Sequence, residues 1–275
     1  MSLLQYLLFS QEEGTYLMSL FAIVIFGIVE GITEFLPVSS TGHLILTANF
    51  LKLAQTDFLK SFEITIQLGA ILSVVVLYWR TLFIDRKALA RVLVAFIPTA
   101  VLGVIFYKVI KTFLLSSETI VLFALLIGGI VLIIFESFYR EKPNSNAEIS
   151  GISIKQALII GACQALAMIP GVSRSLATIL AGLSLGLQRK TIVQFSFLLA
   201  VPTMLGATVF DLTKSAAHFT PSQFNYLAMG FIVSFFVALI AVRFFVRYIE
   251  KHNFIIFGIY RIIASLLFIA LMRIR

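Results

Sequence analysis

Six apolar runs of about twenty residues dominate this chain and decide what it can fold into. They cover residues 61–79, 89–110, 119–139, 192–210, 224–245 and 254–272. A helix of about twenty residues rises about 30 Å, the thickness of a bilayer's hydrocarbon core. The runs are too long for barrel strands, and helices satisfy their own backbone groups in lipid. With 60% hydrophobic and 12% charged residues, the chain reads as an all-α polytopic membrane protein. Its formal net charge of +8 sits mostly between the apolar runs. That pattern suits loops at anionic lipid head groups and gives no reason to expect nucleic acid. The single Cys163 excludes an internal disulfide. Residues 3–9 are too short for a signal-peptide core and read as an interfacial turn before the acidic Gln11-Glu12-Glu13-Gly14.

One stretch is polar where its surroundings are not. Gly27-Ile-Val-Glu-Gly-Ile-Thr-Glu-Phe-Leu-Pro-Val-Ser-Ser-Thr-Gly-His43 interrupts the first apolar segment, 16–36. A charged side chain at the bilayer centre costs roughly 2.5–3.5 kcal/mol even on the lenient insertion scale, so such residues face a polar cavity and act there. Glu30 and Glu34 are four apart and share a helix face. Pro37 ends that helix, and Ser39 or Ser40 caps a second one beginning near Thr41. The second limb, 41–53, is about 20 Å long and too short to cross. The two limbs therefore predict a re-entrant hairpin, whose irregular backbone at depth requires a cavity to line.

The pattern returns after the polar linker Arg140-Glu141-Lys142-Pro143-Asn144-Ser145-Asn146. Gly161-Ala-Cys-Gln-Ala-Leu-Ala-Met-Ile-Pro-Gly-Val-Ser-Arg-Ser-Leu-Ala-Thr178 lies 134 residues beyond Gly27. That offset places Gly161 on Gly27, Gln164 on Glu30, Ser173 on Ser39 and Ser175 on Thr41, with Pro170 one place off Pro37. Each half, about 17–140 and about 153–275, is one broken hairpin plus three crossing helices. Three crossings make the second half an inverted-topology repeat of the first, with a binding site near the midplane where the breaks meet. Arg80, Arg86, Lys87, Arg91, Arg140, Lys142, Lys155, Arg189, Lys190, Arg243, Arg247 and Lys251 fall on one side. Lys52, Lys60, Lys108, Lys111, Lys214, Arg273 and Arg275 fall on the other. Twelve against seven puts the first side in the cytoplasm and both termini outside.

At the second break Arg174 stands between Ser173 and Ser175, with Thr178 one turn on. A guanidinium grips phosphate oxygens as a planar fork, and a helix N-terminus beside it favours an anion. Folding the halves together brings two carboxylates, hydroxyls and His43 against a cation and more hydroxyls. Carboxylates beside a phosphate clamp call for a divalent cation, Mg²⁺ or Ca²⁺, held by Glu30 and Glu34. The arrangement suits phosphoryl chemistry on an anionic substrate.

Glu30-Gly-Ile-Thr-Glu34-Phe-Leu-Pro-Val-Ser-Ser-Thr-Gly-His43 and Pro170-Gly-Val-Ser-Arg-Ser-Leu-Ala-Thr178 resemble the two signatures of the undecaprenyl-diphosphate phosphatase family, the bacitracin-resistance BacA/UppP type. Phe62-Glu63-Ile-Thr-Ile-Gln67-Leu-Gly and Phe195-Ser-Phe-Leu-Leu-Ala-Val-Pro202 resemble further family stretches. The resemblance implies a multi-pass enzyme of the bacterial cytoplasmic membrane that removes the terminal phosphate of undecaprenyl diphosphate. It returns the lipid carrier for peptidoglycan and other envelope polymers, and it uses a divalent cation. The family's functional positions fall on Glu30, Glu34, Ser40, Thr41, His43, Ser173, Arg174, Ser175 and Thr178. Leu176-Ala177 stands where a glycine often follows in the family, and residues up to about Leu17 exceed the usual family start. Expected partners are the polyprenyl diphosphate and membrane lipids, with a homo-oligomer left open.

Three groups are candidates to attack phosphorus: Ser40, His43 and a metal-bound water. The favoured arrangement has Ser40 as nucleophile at a helix N-terminus and His43, at i+3, as its base. Glu30 and Glu34 neutralise charge with the metal, and Ser39, Thr41, Ser173, Arg174, Ser175 and Thr178 hold the substrate. Glu63 and Gln67 are expected to support the hairpin or the metal, and Arg261 to reach the phosphates or pair with Asp211. Glu136, His218 and His252 read as interfacial, and the 27 phenylalanines mostly as packing or lipid-facing. The other class of function consistent with broken helices is a secondary transporter or flippase of an anionic lipid or small anion.

Overall fold

The computed structural model describes residues 9–12, 15–54, 56–109, 118–141, 148–215 and 220–274. A short antiparallel hairpin, β1 (Phe9–Glu12) and β2 (Thr15–Met18), precedes the helices. Eleven α-helices follow among the described residues. They are α1 (Leu20–Thr33), α2 (Ser40–Phe50), α3 (Asp57–Leu77), α4 (Trp79–Phe83), α5 (Arg86–Val109) and α6 (Glu118–Phe138). Then come α7 (Ile154–Gln164), α8 (Arg174–Ser184), α9 (Arg189–Ser215), α10 (Pro221–Ile249) and α11 (Ile255–Ile274). The turn proposed for 3–9 falls almost wholly outside the described residues, as does His218, and so does most of the polar linker.

Among the described residues four helices are long and apolar enough to cross a bilayer, over Asp57–Leu77, Arg86–Phe106, Glu118–Phe138 and Gln223–Ile249. They fall in α3, α5, α6 and α10. The runs at 192–210 and 254–272 are single helices too, α9 and α11. The protein is therefore a multi-pass helical membrane protein. Its bulky exposed side chains fit lipid contact: Val104, Phe138, Ile240 and Phe244 all point outward from long helices. The small helix α4 and the β-hairpin have no counterpart in the sequence reading.

The limbs of both breaks are short. The first limb, α1, has 14 residues and rises about 21 Å, less than a hydrocarbon core. Each of α2, α7 and α8 has 11 residues. Ser19 and Ser153 cap the first limbs, and Ser39 and Ser173 cap the second, so both pairs keep the 134-residue offset. The packing keeps it as well. The first limb α1 lies against α10, while its counterpart α7 lies against α5. Helix α3 pairs with α9, and α6 with α11.

Close approach makes these contacts possible. A methyl group on Gly27 would meet Val233 of α10, and one on Gly161 would meet the Ala95 backbone of α5. Small residues at such crossings let helices pack by van der Waals contact where lipid gives no hydrophobic drive. Hydroxyls then tie the helices: Thr99 Oγ1 donates to Gly161 O at 2.7 Å, Ser234 Oγ to Ile66 O at 2.7 Å and Ser265 Oγ to Leu122 O at 2.8 Å. At one end of the bundle Arg189 forks onto both oxygens of the buried Glu136, which also accepts from Phe254 N–H. Glu136, read from the sequence as interfacial, is instead buried and anchors α6, α9 and the start of α11 to one another. His252 is exposed and donates Nδ1–H to Tyr248 O, in keeping with an interfacial role.

Candidate active site

The breaks between limbs are chemically parallel. After α1, residues 34–38 turn and Ser39 takes φ 72° before α2 begins. After α7 and a 3-10 turn over Ala165–Met168, Ser173 takes φ 80° before α8 begins. Positive φ is uncommon for a residue with a Cβ, and such strain gathers at functional sites. Each serine offsets it by capping: Ser39 Oγ accepts from Gly42 N–H and Ser173 Oγ from Leu176 N–H. Gly171, at φ +93°, could not be replaced, because a Cβ there would meet Val121 O at 2.5 Å.

The two breaks touch. Ser175 Oγ donates to Phe35 O at 2.9 Å, and the Phe35 and Phe197 rings meet edge to face at 5.0 Å. Between the breaks lies a polar cavity of about 70 Å³. Glu34, Ser39, Ser40 and Thr41 line it from one side, and Pro170, Gly171, Ser173 and Arg174 from the other. Ala167 and Met204 complete the wall. The first N–H groups of α2 and α8 begin at this cavity, which suits an anion.

Glu34 is the hub. Its Oε2 accepts from Ser40 Oγ at 2.6 Å, and its Oε1 lies 3.4 Å from Arg174 Nη2. Both members of that ion pair are buried. Arg174 is held on its other side, where Nη1 donates to Ser196 O at 2.7 Å and to Ser196 Oγ at 3.1 Å. Its Nε is buried without an acceptor. The guanidinium is therefore positioned by Glu34 and Ser196 yet keeps donor capacity for a ligand. Ser196 was not among the residues singled out from sequence. Its signal was a hydroxyl between Phe195 and Phe197 in an otherwise apolar stretch.

Glu30 is wholly buried, and neither of its oxygens has a donor. It stands in electrostatic contact with Glu34, Glu63 and Arg174. A buried carboxylate with no partner costs several kcal/mol, on the order of the penalties for unpaired charge. Gln164, its counterpart in the second half, donates from Nε2 to Thr99 Oγ1 and Thr203 Oγ1. The amide nitrogen is thus paired, whereas Gln164 Oε1, like both Glu30 oxygens, is buried without a donor. A divalent cation is the chemistry that fits the orphaned oxygens of Glu30 beside Glu34. Among the described residues no cluster of three or more His, Cys, Asp or Glu forms a preassembled cage. Two carboxylates completed by substrate phosphates are what Mg²⁺ commonly takes. One Glu63 oxygen is also buried without a donor, so Glu63 adds to the acidity around Glu30.

Three expectations require correction. His43 is not placed to deprotonate Ser40. Its Nδ1 lies 2.8 Å from Ser39 O and its Nε2 2.6 Å from Tyr260 Oη, with the two rings stacked. A carbonyl only accepts, so Nδ1 carries the proton and Nε2 accepts from Tyr260. The Ser40 hydroxyl instead turns back from the first residue of α2 towards Glu34. Ser175 and Thr178 do not line the cavity. Both are fully buried, with the Ser175 hydroxyl on Phe35 O and the Thr178 hydroxyl 2.7 Å from Ser196 Oγ and 2.9 Å from Arg174 O. They brace the second break from behind. Arg261 does not reach the cavity either: all its donors go to backbone carbonyls. The Asp211 side chain lies outside the described residues.

A second cavity of about 750 Å³ runs beside the first and is almost wholly apolar. Ile120, Phe123, Ile127 and Val131 of α6 form one wall, and Leu176, Leu180 and Ala181 of α8 the other. Residues around the second break alternate between the cavities: Leu166, Ile169 and Val172 face the apolar one, Ala167, Pro170 and Ser173 the polar one.

Residues 23–267 match the family model described as bacitracin resistance protein BacA. The chain is 50% identical over 247 residues to an undecaprenyl-diphosphatase of Aquifex aeolicus, covering 90% of this chain and 96% of that protein. It is 48% identical over 252 residues to an undecaprenyl-diphosphatase of Wolinella succinogenes, covering 92% and 98%. With an undecaprenyl-diphosphatase of Methanococcus aeolicus the identity is 44% over 246 residues, covering 90% and 96%.

Proposed function

The chain belongs to the family of the bacitracin resistance protein BacA, and we infer that it is an integral membrane undecaprenyl-diphosphatase whose active site is the polar cavity between the two breaks. It hydrolyses undecaprenyl diphosphate to undecaprenyl phosphate and inorganic phosphate. The lipid carrier is thereby returned for peptidoglycan and other envelope polymers, and bacitracin resistance follows. The observation that carries the site is the 2.6 Å hydrogen bond from Ser40 to Glu34, itself paired with Arg174, on the wall of a cavity at two helix N-termini. A transporter of an anionic lipid, the other reading of broken helices, needs binding groups and has no use for a hydroxyl already bonded to a base.

The terminal phosphoryl group sits between the N–H groups of α2 and α8, with Arg174 and Ser173 on its oxygens and Thr41 at the rim. Ser40 Oγ attacks phosphorus as Glu34 Oε2 takes its proton. The Oγ–P bond forms, the bridging P–O bond breaks, and undecaprenyl phosphate leaves. Water then attacks the phosphoserine, the Oγ–P bond breaks, Glu34 returns its proton to Ser40 Oγ, and inorganic phosphate leaves with the oxygen and protons of the water. Glu30 and Glu34 would hold a divalent cation, Mg²⁺ or Ca²⁺, which neutralises diphosphate charge against the carboxylates when bound. The apolar cavity along α6 and α8 suits the prenyl chain, since it is tenfold larger than the polar one and shares its wall. Purified protein should release phosphate from a prenyl diphosphate with Mg²⁺ or Ca²⁺, and lose that activity in chelator or as Glu30→Gln. Full turnover in chelator would remove the metal from this account, and no release by folded protein would remove the phosphatase.

An inverted-topology repeat is supported by the offset that relates caps, limbs and packing partners. The loop charges orient it with the Arg80–Arg91 loop in the cytoplasm, the first hairpin entering from outside and the second from inside. The membrane is the bacterial cytoplasmic membrane. Asn146→Cys and Thr56→Cys, each in a Cys163→Ser background, are expected to label from opposite faces of intact cells or spheroplasts. Labelling of both from one face breaks the inverted arrangement.

A further inference from the structure

Arg261 is wholly buried in α11, and among the described residues no carboxylate accepts from it. Its five N–H donors meet five carbonyls. Nε donates to Leu125 O at 3.2 Å, and Nη2 donates to Ala124 O at 2.9 Å and Gly171 O at 2.8 Å. Nη1 donates to Pro37 O and Val172 O, each at 3.1 Å. Two of these carbonyls belong to α6, one to the first break and two to the second. The guanidinium is thus the point at which both breaks and a crossing helix are joined.

The surrounding chain makes room for it. A Cβ on Gly128 would meet Arg261 Nη2, with Cζ at 2.9 Å, and a Cβ on Gly129 would stand 3.1 Å from Arg261 Cβ. The neighbouring Tyr260 holds His43, so one turn of α11 reaches both sides of the site.

Peptide units are planar and trans, so fixing a carbonyl fixes the next N–H in the opposite direction. The Pro37 carbonyl turned to Arg261 leaves Val38 N–H on Leu36 O at 2.8 Å, and the Gly171 carbonyl leaves Val172 N–H on Ile169 O at 3.1 Å. The Val172 carbonyl likewise points Ser173 N–H away from the guanidinium. These peptide planes lead directly into Ser39 and Ser173, the two residues at positive φ that start α2 and α8. Wherever they sit, Ser40 and Arg174 follow.

We propose that Arg261 is a positioning residue for phosphoryl transfer: it touches no phosphate and acts by locking the backbone of both breaks so that Ser40 and Arg174 stand in register. This rests on the phosphatase reading of the cavity. Lysine keeps the charge but supplies three donors and no planar fork. Arg261→Lys is therefore expected to lower kcat by about a hundredfold, the scale of an ångström misplacement, with KM for the prenyl diphosphate within about threefold of wild type. Methylguanidinium at millimolar concentration should restore kcat of Arg261→Ala at least about tenfold, and ammonium should not. Should Arg261→Ala fail to assemble, Gly128→Ala displaces the guanidinium without removing it and should give the same loss of kcat at unchanged KM. A purely structural arginine would lower the unfolding temperature and the yield of active protein while leaving kcat per folded molecule intact. That result, or a loss confined to KM, overturns the proposal. Wild-type turnover measured alongside reports separately on the phosphatase reading.

Discussion

Replacing Glu34 by glutamine is expected to cut kcat for phosphate release by about a thousandfold, with the protein still folded and inserted. Glutamine preserves shape, and its carbonyl oxygen can still accept from the Ser40 hydroxyl, so the 2.6 Å contact survives. An amide does not take up the proton. The same change removes the carboxylate that faces Arg174 at 3.4 Å. Breaking a buried pair by deleting one member typically costs about 3–5 kcal/mol, because the remaining charge is left alone. Glu30 is also in electrostatic contact with Arg174 and moderates that cost. Thermal unfolding in detergent measures the stability loss apart from kcat. Glu34→Asp keeps the acid one methylene short and should retain more activity than the glutamine variant. A Glu34→Gln enzyme with a tenth or more of wild-type kcat would show that this carboxylate is not the proton acceptor.

How much of this was legible in the sequence depends on how local each signal is. The breaks were legible, since Pro37 and Pro170-Gly171 interrupt apolar runs that carry too many polar groups for lipid. The second limb of the first break was legible from its length, whereas the first was not, because the apolar segment 16–36 is long enough to span and its helix covers only Leu20–Thr33. The facing of side chains just after a break was not, because each residue turns a helix by about 100° and the start of α8 decides the rest. Taking Ser173, Ser175 and Thr178 as one clamp ignores this rotation: Ser173 opens to the cavity while the other two turn into the protein. His43 misled for a related reason. The i+3 rule assumes two side chains on a regular helix, and the Ser40 hydroxyl leaves the first turn for a residue before it. Partners from far along the chain had no local signature. Ser196 is 22 residues from Arg174, and Tyr260 is 217 residues from His43. Arg261 was visible as a charge inside a span, yet nothing near it in sequence indicates that carbonyls of both breaks are its acceptors.

The two breaks carry serine caps at the same offset and opposite chemistry. Glu30 and Gln164 occupy equivalent places, and so do Ser40 and Arg174, each the first residue of its second limb. One half thus places a carboxylate and a hydroxyl at the cavity and the other a guanidinium, so the cavity needs both breaks in contact. That division explains why the structure spends an arginine, two adjacent glycines on α6 and two strained serines on holding the breaks together.

Ser40→Ala is expected to be nearly inactive, with kcat at least about a thousandfold below wild type, and rapid quenching of the wild type should trap a phosphorylated intermediate. The serine stands at the first position of α2, where the helix dipole favours both a developing alkoxide and the phosphate it attacks. Its hydroxyl has an acceptor at 2.6 Å, and Arg174, proposed to hold the phosphoryl group, lies on the other oxygen of that acceptor. A phosphoserine survives acid, whereas a phosphohistidine does not, so the stability of the trapped adduct identifies the attacking residue. Attack by His43 would require its Nε2 to leave Tyr260 and turn towards the cavity, and an acid-labile adduct would show that it does. Alanine at 40 leaves room for a water in hydrogen-bond reach of Glu34. Substantial turnover by that variant, with no adduct of either kind in the wild type, would make water the nucleophile and leave Glu34 as its base.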